Sequence, residues 1–471
     1  MDFKTDVRYV NMTEPSCAAD LSIGSERGDY VSQSYVFKKI GRPSRAINLM
    51  YGYYPKNKKW PSRGKPKHGR YMLHDGYFSY EGGINGDSSK YKEPFASIRD
   101  VRAYGQDVIL TLLIDCSLPD EELIQIAKDL RPFGRLYLRI NHECNGSWFQ
   151  FNKEYSLKEV SDFFVRFHNI AHEYAPNIKT IACINGPGEV TEGKTRGYCL
   201  TEDKLAPMFQ IADLVSVDQY YSLHYGWPDP KFNPANPTNY FSLSLERWWE
   251  IVCEFHEIMV KLRGDKETPI YINETNSDAE IDGMEGQAKW IEDAYGLIKK
   301  EKAKWFKGIT YYHFQDRGGL GLETQDAYDF HKVTENPSLH AYRRVINDPY
   351  FLPKFKISSE KTLEFPIIFD WVSSTEAKGI AIKVKAPKKI NSCTLSFSDK
   401  LNLVLNIENK WFRKSPSKSS LDISSAVRGL EEFSIMIFSP PAGENTFDSK
   451  KQEYLNSYKV ILNNLPEIVL K

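Results

Sequence analysis

At 471 residues the chain is longer than one ordinary hydrophobic core, because domains level off near ~100–200 residues and barrels near ~250; one barrel plus one smaller domain accounts for it. A content of 41% hydrophobic and 26% charged residues excludes a disordered chain. Lys plus Arg (62) equals Asp plus Glu (62), so no net field favours nucleic acid or an anionic membrane, and the expected partner is neutral.

No apolar run approaches the ~18 residues of a membrane helix. The start, Met-Asp-Phe-Lys-Thr-Asp, has no signal-peptide apolar region, so the expectation is a cytoplasmic protein, or an extracellular one whose signal has been removed. The seven cysteines form no C-x-x-C pair and read as reduced and mostly buried. Nothing in the sequence speaks to oligomeric state. The 28 Tyr, 26 Phe and 9 Trp supply flat faces that suit sugar rings as well as cores.

Residues 1–44 carry no assignable pattern and stand as an N-terminal extension. From 45 to 350, short apolar runs alternate with helix-like stretches, the pattern of βα units around a parallel sheet. Eight strands are expected, at 46–54, 71–77, 108–115, 136–141, 180–185, 214–220, 270–274 and 308–313. Apolar residues at spacings of three and four predict amphipathic helices at 119–130, 156–174, 243–262 and 287–300, and Ser156 followed by Glu159 is a capping-box start. The expected fold is α/β, a (β/α)8 barrel over 45–350. Apolar alternation at 379–384, 401–407 and 433–438 then predicts an antiparallel β-sandwich over 355–471.

A (β/α)8 barrel builds its active site at the C-terminal ends of its strands. The fourth expected strand ends Arg139-Ile140-Asn141-His142-Glu143-Cys144-Asn145-Gly146-Ser147-Trp148-Phe149, and the seventh ends Tyr271-Ile272-Asn273-Glu274-Thr275-Asn276. Each run brings one carboxyl to the mouth, and strands four and seven of an eight-strand ring are nearly opposite. Glycoside hydrolysis needs two such carboxyls, one to protonate the departing oxygen and one to attack or to activate water; a separation of ~5–5.5 Å gives retention and ~6.5–9.5 Å inversion. Arg139, on the face of Glu143, can pair with a carboxylate and hold the nucleophile ionised. Glu143 needs a drier or more negative setting to stay protonated until it donates, which Trp148 and Phe149 can supply. The plainer readings are an interior salt bridge for Arg139, a loop anchor for Trp148 and ordinary packing for Tyr220.

H-E-x-N-G-x-W-F after a strand, Val217-Asp218-Gln219-Tyr220, and the later strand-end Glu274 together resemble glycoside hydrolase family 26 over about residues 45–345. The resemblance implies a retaining hydrolase of a β-linked polysaccharide or oligosaccharide, with Glu143 as acid/base and Glu274 as nucleophile. It implies that Arg139, His142 and Trp148 line the catalytic subsite and that Asp218 and Tyr220 form the D-x-Y whose tyrosine hydrogen-bonds the nucleophile. The family commonly ends strand eight on a tryptophan. Here His313 or Phe314 stands in that place, so β-mannan, β-1,3-xylan, mixed-linkage β-glucan and an unusual exopolysaccharide all remain candidate substrates. No cofactor or metal is implied, since the two carboxyls suffice.

Two other classes compete. His142, Glu143, Asp218, His224 and His313 offer ligands for a metal-dependent barrel hydrolase or lyase, but no H-x-H appears near strand one. A non-catalytic carbohydrate-binding barrel would keep the cleft without the chemistry. The loops 221–240, with His224, Tyr225 and Trp227, and 318–326 are expected to shape the cleft. In the sandwich, Trp371 and Trp411 are candidate sugar-binding residues, although packing against the barrel is the expected role. The sequons Asn145-Gly146-Ser147 and Asn273-Glu274-Thr275 fall within both site motifs, where a glycan would block the mouth.

Overall fold

A computed structural model describes residues 2–24, 30–57, 66–67, 71–72, 77–89, 91–146, 148–186, 204–224, 240–326, 329, 331–360, 365–442, 447–448, 453–454 and 457–471. Among the described residues, eight parallel strands close into a barrel: β1 (Ala18–Ser22), β2 (Ala46–Tyr53), β3 (Asp107–Ile114), β4 (Leu136–Ile140), β5 (Ile178–Gly186), β6 (Leu214–Gln219), β7 (Ile270–Thr275) and β8 (Phe306–Tyr311). Each pairs with its chain neighbours, and β1 pairs with both β8 and β2 to complete the ring. β2 and β3 are buried at every position, because one face fills the barrel and the other meets the helices.

Among the described residues, a helix on the outer layer follows each strand: α1 (Gln33–Ile40), α2 (Phe95–Ala103), α3 (Asp120–Leu130), α4 (Leu157–Tyr174), α5 (Ala206–Ile211), α6 (Leu245–Arg263), α7 (Ala279–Glu301) and α8 (Pro337–Ile346), with a short extra helix, Gln150–Glu154, between β4 and α4. α4 begins with the expected capping box: Ser156 Oγ accepts the Glu159 N–H, and Glu159 Oε2 accepts the Ser156 N–H. α6 and α7 begin on Ser244 and Asp278, whose side chains accept the backbone N–H groups of Arg247 and Glu280.

The expected strand at 71–77 is a correction. Among the described residues, Tyr71–Met72 pairs with Pro66–Lys67 in a two-stranded antiparallel ribbon and not with a barrel strand, and 73–76 lie outside the described residues. The ring is completed instead by β1, within the segment that carried no pattern. Its polar Asp20 and Ser22 are buried because Arg45 pairs with Asp20 and Asn48 donates to Ser22 Oγ at 3.0 Å. From β3 onward the order matches expectation, so the two motifs stand on strands four and seven.

The antiparallel domain draws on both ends of the chain. Lys4–Thr13 pairs with Glu376–Lys385, from Lys4 opposite Lys385 to Met12 opposite Ala377, and with Lys354–Ile357. This eight-stranded sheet faces a three-stranded one made of Ser420–Asp422, Cys393–Ser396 and Glu467–Leu470, and Ile380, Ile382, Leu405, Ile435 and Leu395 fill the space between them. Leu403–Ile407 is buried on both faces, since Val404, with Trp371, Trp411 and Phe438, forms a second cluster against the barrel.

The junction lies at the N-terminal ends of the barrel strands, away from the mouth. Asn402 Nδ2 and Arg413 Nε donate to Ala103 O at 2.8 and 3.0 Å, and Ser374 N donates to Asp107 Oδ1 at 3.0 Å. Trp371 approaches Gly105 so closely that a Cβ there would lie 3.0 Å from the indole. Gly105 also has φ +71°, which only glycine takes without strain.

Candidate active site

β4 sets the floor of the site. Arg139 is fully buried inside the barrel, where its Nε donates to Thr111 Oγ1 at 2.7 Å. Thr111 in turn donates to Asn48 Oδ1 at 2.8 Å, and Asn48 reaches Ser22. This chain of hydrogen bonds across β1 to β4 fixes the plane of the guanidinium. Arg139 Nη1 lies 2.9 Å from both oxygens of Asp218, and Nη2 donates to Glu274 Oε1. Burial opposes the charge on Arg139, but Asp218 and Glu274 outweigh it and raise its pKa well above the ordinary value.

Glu274 closes β7, 5% exposed. Beyond Arg139, its Oε2 accepts the Tyr220 hydroxyl at 2.9 Å. Burial, and then the charge of Glu274, push the Tyr220 phenol well above its usual range, so it stays a donor. His142 Nε2 is 3.6 Å from Glu274 Oε1. Burial and the adjacent Arg139 depress its pKa far below the normal value, leaving a neutral ring packed 4.7 Å from Phe149.

After β4 the chain turns sharply. Asn141 and Glu143 have φ of 45° and 52°, in the left-handed region that non-glycine residues enter at a cost. The Asn141 side chain compensates by bonding both backbone groups of Ile114, accepting at 2.8 Å and donating at 3.0 Å. The turn brings the Glu143 carboxyl over the barrel, where Asn185 Nδ2 donates to Oε1 at 2.7 Å and Trp148 Nε1 to Oε2 at 2.8 Å. Burial, then the charge of Glu274, raise the Glu143 pKa to about 8 against those two donors and Arg139. The two carboxyls therefore live in opposite settings: Glu274 faces a cation and a phenol, whereas Glu143 is held protonated at neutral pH.

Seven of the nine candidate residues come together here: Glu143, Glu274, Arg139, His142, Trp148, Asp218 and Tyr220. Trp148 is 43% exposed and presents its ring to solvent. Asp218 is fully buried against Arg139 and acts through it. His313 and Phe314 are both fully buried; the His313 ring lies tilted against Tyr312, 4.5 Å between centres, with Nε2 3.6 Å from Asp316 Oδ1, and Phe314 packs edge-on to Tyr35. Neither offers a face to a sugar. Tyr312 instead packs edge-on to Tyr220, 6.1 Å between ring centres.

The five metal-ligand candidates are not assembled. His142, Asp218 and Glu274 converge, but the Arg139 guanidinium occupies the place between the two carboxylates where a cation would sit. His224 belongs to a separate cluster, its Nδ1 2.5 Å from Asp278 Oδ2. Tyr225, Trp227 and Ser147 lie outside the described residues. Among residues 318–326, Gly319 O accepts the Ala279 N–H and Gln287 Nε2, so this stretch anchors the start of α7. Trp371 and Trp411, 6% and 7% exposed, are spent on the domain junction.

Asn185, Thr111, Asn48 and Tyr312 escaped the sequence reading. Asn185 left one signal, an uncharged polar side chain at the end of an otherwise apolar run. No family model and no curated protein matches the sequence. Several solved glycosidases match in structure. A calcium-binding mutant of β-glucuronidase 2 from Bacteroides uniformis is 10% identical over 95% of this chain, with a TM-score of 0.43, and the chain spans 45% of its length. A GH26 β-mannanase from Bacteroides ovatus is 12% identical, covering 74% of this chain and 93% of its own, at TM-score 0.43. A monomeric β-xylosidase from Caulobacter crescentus CB15 is 12% identical over 92% of this chain and 98% of its own, at TM-score 0.44.

Proposed function

We propose that the chain is a retaining glycoside hydrolase of the family 26 kind, cleaving a neutral β-linked polysaccharide or oligosaccharide within the chain. The observation that carries this reading is the opposed treatment of two carboxyls at the ends of β4 and β7, since a double displacement needs one of them protonated and the other ionised. Glu143, raised to about 8, gives its proton to the glycosidic oxygen as the C–O bond breaks. Glu274, aimed by Arg139 and Tyr220, attacks the anomeric carbon and forms the glycosyl ester. With Glu274 esterified its charge is gone, the second largest cause of the raised Glu143 pKa disappears, and Glu143 becomes the base that deprotonates the incoming water. The exposed Trp148 ring beside Glu143 is a stacking face for a sugar.

The test is hydrolysis of β-mannan, β-1,3-xylan and mixed-linkage β-glucan by wild type, Glu143→Ala and Glu274→Ala, with the product anomer read by proton NMR. Wild type is expected to cleave at least one polymer, lowering its viscosity ahead of reducing-end release and giving the β-anomer first. Equal failure of all three proteins on the panel while sugars still bind would leave a non-catalytic binding barrel.

A further inference from the structure

Resting on the acid/base reading of Glu143, we infer that Asn185 is a positioning residue that selects which oxygen of Glu143 delivers the proton and favours the ionised state the second half-reaction needs. The geometry is a closed clamp between the turn after β4 and the end of β5. Asn145 Oδ1 accepts the Asn185 N–H at 2.8 Å, and Asn145 Nδ2 donates to Asn185 O at 3.0 Å. The Asn145 side chain thus holds the Asn185 backbone, while the Asn185 side chain reaches back to Glu143, two residues before Asn145. Cys144 N also donates to Cys183 O at 3.4 Å on the same pair of strands. A donor anchored in this way has little freedom to follow the carboxyl; the carboxyl follows it.

The two oxygens of Glu143 differ accordingly. Oε1 faces the anchored amide of Asn185, and Oε2 faces the indole of Trp148, which is 43% exposed. With Oε1 taken by the anchored amide, delivery of the proton falls to Oε2, the oxygen beside the partly exposed indole. A hydroxyl at Oε2 keeps a lone pair for the indole N–H, while Oε1, the carbonyl oxygen of the acid, accepts from Asn185. When the proton passes from Oε2 to the glycosidic oxygen, the electrons of the breaking C–O bond stay on that oxygen as the new hydroxyl. Glu143 is then a carboxylate, and the Asn185 N–H strengthens as a charge-assisted bond. The other charged and titratable groups facing Glu143 are Glu274 on β7, Arg139 on β4, and Asp218 and Tyr220 at the end of β6. Among the groups acting on Glu143, Arg139, Asn185 and Trp148 favour its ionised form.

The experiment compares Asn185→Ala, Asn185→Asp and Glu143→Ala with wild type on the 2,4-dinitrophenyl and phenyl β-glycosides of whichever disaccharide wild type accepts, each with a pH profile of kcat/KM. Asn185→Ala keeps the backbone contacts to Asn145, and Asn185→Asp keeps the side-chain shape, so the clamp persists in both. Dinitrophenolate departs without a proton. Asn185→Ala is therefore expected to lower kcat/KM on the phenyl glycoside by roughly 10- to 100-fold, part of the ~10²–10⁴ that a general acid supplies, with little change on the dinitrophenyl glycoside. Its alkaline limb moves above that of wild type, and further in Asn185→Asp, which adds a charge. Equal losses on both glycosides, or an unmoved alkaline limb, overturn the inference while leaving Glu143 as the acid if Glu143→Ala keeps its own leaving-group selectivity. If Glu143→Ala loses both glycosides equally, the acid/base reading fails, and this inference with it.

Discussion

Tyr220 has one polar task, donating its hydroxyl to Glu274 Oε2 at 2.9 Å. Tyr220→Phe keeps the ring that packs on Tyr312 and removes that donor alone. A hydrogen bond to a charged group is worth about 1.5–3 kcal/mol, so kcat is expected to fall roughly 10- to 100-fold with the melting temperature lowered by only a few degrees, as steady-state kinetics and a thermal melt would show. Arg139 behaves differently because it compensates two carboxylates at once. Arg139→Met leaves both buried without a cation, at a cost of about 3–5 kcal/mol, and the expected result is an unstable protein as well as an inactive one. A third expectation concerns ionisation. The charge of Glu274 is the second contributor to a Glu143 pKa of about 8, so Glu274→Gln should lower that pKa, read by ¹³C NMR of labelled glutamate carboxyls. An unchanged value would mean that the charge of Glu274 does not contribute to it.

At the scale of elements, the ends of strands and helices carry the site, and they differ in how readable they are. α4 is legible because its start uses local chemistry: Ser156 and Glu159 exchange backbone and side-chain bonds within four residues. Ser156→Ala is expected to lower stability by about 1 kcal/mol in a denaturant melt without touching kcat, since α4 begins on the outer layer. Glu143 and Glu274 are legible because their motifs are contiguous and end apolar strands. β1 was not legible: the five residues Ala18–Ser22 read AADLS, and the burial of Asp20 and Ser22 depends on Arg45 and Asn48, 25 and 26 residues away. Conversely, the segment 71–77 reads as a strand, whereas its described start, Tyr71–Met72, pairs with Pro66–Lys67 and not with a barrel strand. Asn185 belongs with β1, because its partner Glu143 is 42 residues distant and neither residue alone announces the pair. Phe314 marks the same limit from the other side: an aromatic at a strand end reads as a sugar platform, whereas packing against Tyr35 of α1 buries it completely.

Over the whole molecule, the candidate site and the supporting domain sit at opposite ends of the barrel strands. The sandwich closes the N-terminal ends, tied by Asn402, Arg413, Ser374 and the Trp371–Trp411 cluster, and it incorporates Lys4–Thr13 from the other end of the chain. Removing 355–471 would strand that segment and expose the cluster, so loss of solubility, rather than selective loss of polymer binding, is the expected outcome. Asp107 gives this junction a pH signature. Its carboxyl accepts the Ser374 N–H across the domain boundary, yet burial raises its pKa to about 6, against that bond and the charges of Arg45 and Arg135. Unfolded, it would titrate near ~4. Between those values the folded state holds more protons than the unfolded one, so this group's contribution is most favourable below the window and declines as pH rises through it, by at most about 3 kcal/mol. Asp107→Asn keeps an oxygen for Ser374 and abolishes the titration. The difference in melting temperature between pH 4 and pH 7 should therefore shift in the variant, with wild type losing more stability over that interval than Asp107→Asn. Parallel pH dependence in the two proteins would mean that Asp107 ionises at the junction without penalty, as it would if water reached it there.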